Sequence, residues 1–134
     1  MKTRVMLADD HEAFRRELRA IIDRESDMEV VGEAANGKEA VDLARRLVPD
    51  VVIMDINMRF MNGIDATLYL SKELPSINVL MLSMHSSPYL VKAVKGSGAR
   101  GYALKDADSE ELMEAIRLVS KKLPYWSTGI TANE

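Results

Sequence analysis

Cysteine is absent from all 134 residues. That excludes disulfides, thiolate metal sites such as zinc fingers, and thiol catalysis. It also fits a cytoplasmic location. Positive charge is not in excess: 18 Lys and Arg stand against 21 Asp and Glu, for a formal charge of −3 and a pI near 5.5. A phosphate-contacting face needs the opposite balance, so the chain itself is not expected to bind nucleic acid. Long hydrophobic runs are missing too. The apolar run behind Met1–Arg4 lasts only from Val5 to Ala8 before Asp9 and Asp10 interrupt it. A signal peptide needs about 7–15 apolar residues there, and a membrane span about 20. No membrane partner is expected, and no repeat or low-complexity tract appears.

What is present is an ordinary globular balance, 47% hydrophobic and 29% charged, in a chain of one-domain size. Two kinds of segment alternate. Val5–Ala8, Val30–Val31, Val51–Met54, Val79–Leu82 and Tyr102–Leu104 are short runs, mostly apolar at consecutive positions. Strands read this way when both faces of their sheet are covered. Between them, apolar residues recur at helical spacing: Phe14, Leu18, Ile21 and Ile22; Val41, Ala44, Leu47 and Val48; Ile64, Thr67, Leu68 and Leu74; Leu90, Val91 and Val94; Leu112, Ile116, Val119 and Leu123. Asn36 with Glu39, Ser87 before Pro88, and Asp108 with Glu111 read as helix starts. Pro49 and Pro75 read as stops. The order predicts an α/β fold, a doubly wound five-stranded parallel sheet with five helices, the flavodoxin-like (βα)5 arrangement.

Ligands of such sheets bind beyond the carboxyl ends of the strands, where strand order reverses. The residues there are distinctive. Asp9 and Asp10 follow the first run, Asp55 the third, Ser83 the fourth and Lys105 the fifth. Taken singly, each has a bland reading: an Asp after a strand most often caps a helix or forms a turn, and a lone Ser or Lys is usually a surface group. Taken together they place three carboxylates, a hydroxyl and an ammonium at one edge. Clustered carboxylates repel one another unless a cation intervenes. Oxygen donors with few protein ligands suit Mg²⁺, which also takes phosphate oxygens. Asp9, Asp10 and Asp55 could hold it. An Asp carboxylate can form an acyl phosphate, with the metal and Lys105 neutralising the transferring group.

On Asp9–Asp10, the stretch Met54-Asp55-Ile56-Asn57-Met58 with Gly63 beyond, Leu82-Ser83-Met84-His85, and Gly101-Tyr102-Ala103-Leu104-Lys105, the sequence resembles a receiver domain of a two-component response regulator. The resemblance runs from about Arg4 to Leu123. It implies that Asp55 is the phosphoacceptor, charged by a sensor histidine kinase. It implies Mg²⁺, or Mn²⁺ in its place, on Asp10, Asp55 and the Asn57 carbonyl, with Asp9 acting mainly through water. Ser83 and Lys105 would contact the bound phosphoryl group, and Ser83 and Tyr102 would form the switch that alters the face around the fourth helix, fifth strand and fifth helix. The domain would catalyse its own phosphorylation and dephosphorylation and turn over no independent substrate. Homodimerisation on phosphorylation is a further family expectation.

Two departures stand out. Arg59, then Phe60, occupies the loop where many receivers carry proline, and Asp106 follows Lys105 where many carry proline again. The Lys-Asp form, Asp10-His11, Val30–Ala34, Asn36-Gly37 and Met84-His85 resemble the subclass joined to LuxR-type helix-turn-helix output domains. Met84 borders the phosphoryl pocket at a position where the family commonly has small residues, so it is expected to narrow access; His85 and Arg59 are further candidate modulators. His11 reads as exposed near the site mouth. Residues 1–123 are expected to form the receiver domain. Residues 124–134 read as a linker or tail toward a DNA-binding output domain beyond Glu134, the alternative being a free-standing receiver. An aspartate-nucleophile phosphatase of the haloacid dehalogenase type fits less well, because its nucleophile–x–acid pattern follows the first strand. A flavin domain would need a hydroxyl- and glycine-rich loop there.

Overall fold

The inner strands of the central sheet are apolar on both faces, and the two faces bury different side chains. In a computed structural model, which describes residues 1–127, β1 (Thr3–Ala8) sends Val5 and Leu7 to one side and Met6 and Ala8 to the other. The same alternation divides β3 (Val51–Asp55) and β4 (Asn78–Ser83). On one side Leu18 and Ile22 of α1 (Glu12–Asp23) and Leu112, Ile116 and Val119 of α5 (Ser109–Ser120) complete the core. On the other lie α2 (Gly37–Leu47), α3 (Gly63–Glu73) and α4 (Pro88–Ser97), through Ala40, Val41, Ala66, Leu70, Val91 and Val94. A fully buried aliphatic such as Ile22 contributes roughly 1.5–3 kcal/mol from removal of its apolar surface from water.

The sheet is wholly parallel, in the order β2-β1-β3-β4-β5-β6, with β2 at Met28–Ala34 and β5 at Gly101–Leu104. From β1 the chain steps outward to β2, then crosses back to β3 on the opposite side. That reversal makes the carboxyl ends of β1 and β3 the topological switch point. The expected helix starts are present. Asn36 accepts from Glu39 N at 2.9 Å while Glu39 accepts from Ala35 N at 3.0 Å, a capping-box variant whose return bond comes from the residue before the N-cap. Ser87 caps α4 ahead of Pro88, and Asp108 accepts from Glu111 N at 2.8 Å. Helices α2 and α3 stop at Leu47 and Glu73, just before Pro49 and Pro75. The carbonyls of Leu47 and Val48 accept from the Arg4 guanidinium, which ties the end of α2 to β1.

Three expectations need correction. The sheet has six strands, not five: Tyr125–Trp126 form a short β6 parallel to β5. Residues 125–126 thus extend the sheet beyond the expected receiver boundary at residue 123. Tyr125 N donates to Arg100 O, Ser127 N donates to Tyr102 O, and the Tyr125 and Ser127 hydroxyls both donate to Glu111. Residues 128–134 of the expected tail lie outside the described residues. The second strand also reaches well beyond Val30–Val31, because its half-exposed residues break the apolar run that marks the inner strands. The buried stripe of α3 is Gly63, Ala66, Thr67 and Leu70; Leu68 points outward. Thr67 satisfies its buried hydroxyl on the sulfur of Met81 at 3.3 Å.

Candidate functional site

The strand registers align the expected site residues. Ala8 pairs with Met54, Asp55 with Leu82, and Ser83 with Leu104, so the carboxyl ends of β1, β3, β4 and β5 lie side by side. Backbone bonds continue just past these ends: Asp9 N donates to Ala34 O, Ile56 N to Leu82 O, and Lys105 N to Ser83 O. Gly63 closes the floor. Its N–H donates to Ile56 O at 2.8 Å, and a Cβ at this position would stand 2.1 Å from the Asp55 carbonyl oxygen. Only glycine lets the start of α3 approach the end of β3 this closely.

Asp9 and Asp55 are buried, and Lys105 is almost as enclosed. Its Nζ lies 2.7 Å from Asp9 Oδ2 and 3.5 Å from Asp55 Oδ2, over the Phe14 ring at 4.8 Å. Burial, and after it the neighbouring Asp9 charge, push the Asp55 carboxyl up to about 6, outweighing Lys105 and the Asn57 amide. That amide donates to Asp55 Oδ1 at 3.3 Å. Asp55 Oδ2 and Asp10 Oδ1 are buried with no hydrogen-bond partner among the described residues. Asp9, Asp10, His11 and Asp55 each offer a ligand atom within 4.8 Å of one another. Lys105 thus meets Asp9 and Asp55 of the three carboxylates, and two carboxylate oxygens stay without a hydrogen bond among the described residues. Such a set fits a hard divalent cation.

The structure brings Asp9, Asp10, Asp55 and Lys105 together, and it adds His11. His11 is exposed at the site mouth, as expected, and its Nδ1 lies 3.2 Å from Asp9 Oδ1 and 3.3 Å from Asp10 Oδ1. The signal was its adjacency to both carboxylates. Ser83 is at its strand end, but its hydroxyl donates to the His85 carbonyl at 2.6 Å, within its own loop. Asn57, Arg59 and the His85 side chain are exposed. Met84 is also exposed, and with His11, Ala13, Phe14 and Lys105 it lines an apolar recess beside the carboxylates. Tyr102 is fully buried. Its hydroxyl has no partner among the described residues, and its ring meets Trp126 edge-on at 6.3 Å.

Residues 5–117 match the family model described as response regulator receiver domain. The chain is 38% identical over 132 residues to the transcriptional regulatory protein DegU of Brevibacillus brevis, covering 98% of this chain and 56% of that protein. It is 38% identical over 121 residues to the response regulator protein VraR of Staphylococcus aureus, covering 90% of this chain and 58% of VraR. The chain thus spans just over half the length of these relatives. Among solved structures, a LuxR-family two-component response regulator from Aurantimonas sp. SI85-9A1 superposes with a TM-score of 0.92 at 33% identity, covering 97% of this chain and 93% of that one. The receiver domain of the response regulator NarL from Mycobacterium tuberculosis superposes with a TM-score of 0.87 at 32% identity, covering 90% and 97%. With its acidic switch-point pocket, the chain belongs to the response regulator receiver domain family of two-component systems, homologous to transcriptional regulators of the LuxR type.

Proposed function

We propose that Asp55 accepts a phosphoryl group from a phosphohistidine of a sensor kinase. The observation that carries this reading is the buried Asp55 Oδ2, which has no hydrogen-bond partner and faces Lys105 at 3.5 Å. An Asp55 oxygen attacks phosphorus, a P–O bond forms, and the P–N bond to the kinase imidazole breaks. The imidazole nitrogen keeps the electron pair. Lys105 meets the negative charge of the arriving group, which leaves Asp9 free of its present ion pair. Ser83 releases the His85 carbonyl and donates to a phosphoryl oxygen. Asp10, Asp55 and the Asn57 carbonyl would hold Mg²⁺ or Mn²⁺, with Asp9 acting mainly through water. The cation, when bound, neutralises carboxylate repulsion and phosphoryl charge.

The domain turns over no separate substrate, and its output is conformational. Tyr102 and the Ser83 hydroxyl move together, reshaping the face of α4, β5 and α5, through which two copies pair. The greater length of DegU and VraR supports a DNA-binding output domain joined to this receiver, and the phosphodonor reading supports a cytoplasmic setting. Met84, His85 and Arg59 tune access to the pocket. Incubation with Mg²⁺ and acetyl phosphate, followed by intact mass measurement, tests the reading. One labile phosphate is expected, lost on chelation of Mg²⁺ and in Asp55→Asn. An adduct that survives in Asp55→Asn overturns it.

A further inference from the structure

The sheet edge beyond β5 is shaped to receive β6. Gly101 of β5 pairs with Tyr125, and a Cβ at Gly101 would stand 2.8 Å from the Tyr125 carbonyl oxygen, so β5 lacks a side chain where β6 runs beside it. Ser127 fastens the other end of the segment. It is 3% exposed, its N–H donates to Tyr102 O at 3.0 Å, and its hydroxyl donates to Glu111 Oε2 of α5 at 2.7 Å. The Tyr125 hydroxyl donates to the same oxygen. Between them, Trp126 meets the Tyr102 ring edge-on at 6.3 Å, and Lys95 Nζ of α4 lies 5.6 Å over the indole. Residues Tyr125 to Ser127 thus link α4, β5 and α5. The docked arrangement also carries a penalty. The Tyr102 hydroxyl is buried with no hydrogen-bond partner among the described residues, and an unpaired buried hydroxyl is costly.

We propose that Tyr125 to Ser127 form an intramolecular latch, docked on β5 in the unphosphorylated chain and released when Asp55 carries a phosphoryl group. The inference rests on the phosphoacceptor reading and adds to it the element that the switch residues move. Tyr102 is where latch and switch meet. Its ring is fully buried, so it cannot change place without giving up its edge contact with Trp126, and its carbonyl holds the Ser127 N–H. When Ser83 turns from the His85 carbonyl to a phosphoryl oxygen and Tyr102 follows, the latch loses its central packing contact. The contacts left are few: two hydroxyls on one oxygen of half-buried Glu111, and one ammonium over one ring. Docked and released states therefore lie close in free energy, as a bistable element requires. Release frees the backbone groups of β5 that β6 now pairs and leaves an open sheet edge between α4 and α5.

Trp126 is the only tryptophan of the chain, so its fluorescence reads the latch directly. The 134-residue chain is titrated with beryllofluoride in the presence of Mg²⁺, a stable stand-in for the aspartyl phosphate. Fluorine NMR follows the bound fluoride, and acrylamide quenching follows Trp126. Wild type is compared with the double variant Tyr125→Phe, Ser127→Ala, which removes both hydroxyls and keeps every ring, and with Asp55→Asn. In wild type, quenching of Trp126 should rise in step with bound fluoride. The double variant should show raised quenching before any beryllofluoride is added. Because coupling between two equilibria is reciprocal, that variant should also bind beryllofluoride at least about fivefold more tightly than wild type. Bound fluoride with no change in Trp126 quenching, or equal affinity in wild type and the double variant, overturns the latch and leaves the phosphoacceptor reading standing. Absence of bound fluoride in wild type, or its persistence in Asp55→Asn, overturns that reading and the latch with it.

Discussion

Asp55 carries a cost that its neighbours impose. Its carboxyl is raised from 3.8 to about 6 by burial and by the Asp9 charge. The folded chain therefore holds this proton across a range where the unfolded chain has released it. The contribution to stability is full below about pH 4 and is lost as pH rises through about 6. Without divalent cation, Asp55→Asn should stabilise the fold at pH 7.5 by on the order of 1–3 kcal/mol and show a smaller decline in stability between pH 5 and pH 7.5. Urea unfolding in EDTA measures both. Mg²⁺ competes with the same proton, so its affinity should fall as pH drops below about 6. A second residue stores strain in the backbone. Phe60 has φ +69°, with Met61 N donating to Arg59 O across it, and its ring is 86% exposed. A three-residue turn of this hand is rare and strained for any side chain. Phe60→Gly should gain about 0.5–1 kcal/mol in urea unfolding, because the ring loses little contact. Asp9, Asp10, Asp55, Ser83 and Lys105 were legible from sequence because strand ends converge whatever the loops do. The His11 contacts and the Ser83 bond to His85 were not, since each depends on the path of a short loop.

At the scale of elements, the site is a consequence of how strands end and how α3 begins. Parallel register brings Asp55, Ser83 and Lys105 abreast, and Asn62 caps α3 by accepting from Asp65 N. Gly63 sits between these two features and admits no side chain. Gly63→Ala should therefore shift the β3–α3 loop, cost roughly 2–4 kcal/mol in stability, and weaken Mg²⁺ binding by displacing Asp55. Thermal unfolding and Mg²⁺ titration together check it; unchanged values would show that the loop yields freely. Helix starts and stops were legible because Asn36, Ser87, Asp108, Pro49 and Pro75 act within one turn of chain. The buried stripe of α3 was less so. Its inward face is made of Gly63, Ala66 and Thr67, small residues that let α3 lie close to the sheet and leave a weak hydrophobic signature. β6 was missed for a related reason: a two-residue edge strand has no run of its own, and its identity comes from pairing with β5.

The whole molecule links the acidic pocket to its far sheet edge. Lys105 follows β5 at the pocket, and three residues earlier Tyr102 packs against Trp126 of β6. Lys95 of α4 lies 5.6 Å over the Trp126 ring, and Glu111 of α5 accepts from Tyr125 and Ser127. The β6 segment thus touches α4, β5 and α5, the face proposed above to change on phosphorylation. Trp126→Ala should cost about 1–3 kcal/mol in urea unfolding, less than a fully buried aromatic because Trp126 is half-buried. Near-UV circular dichroism should show Tyr102 loosened in the same variant. The net charge of −3 acquires a local meaning in this setting, since part of it is the carboxylate cluster the chemistry requires. The central claim is that Asp55 receives the phosphoryl group, and one measurement addresses it directly. After reaction with acetyl phosphate and Mg²⁺, borohydride reduction converts an aspartyl phosphate to homoserine, which peptide mass fragmentation can locate. Homoserine at position 55 and nowhere else is the expected result; homoserine at position 9 or 10, or phosphate retained on Ser83 or His11, would contradict it.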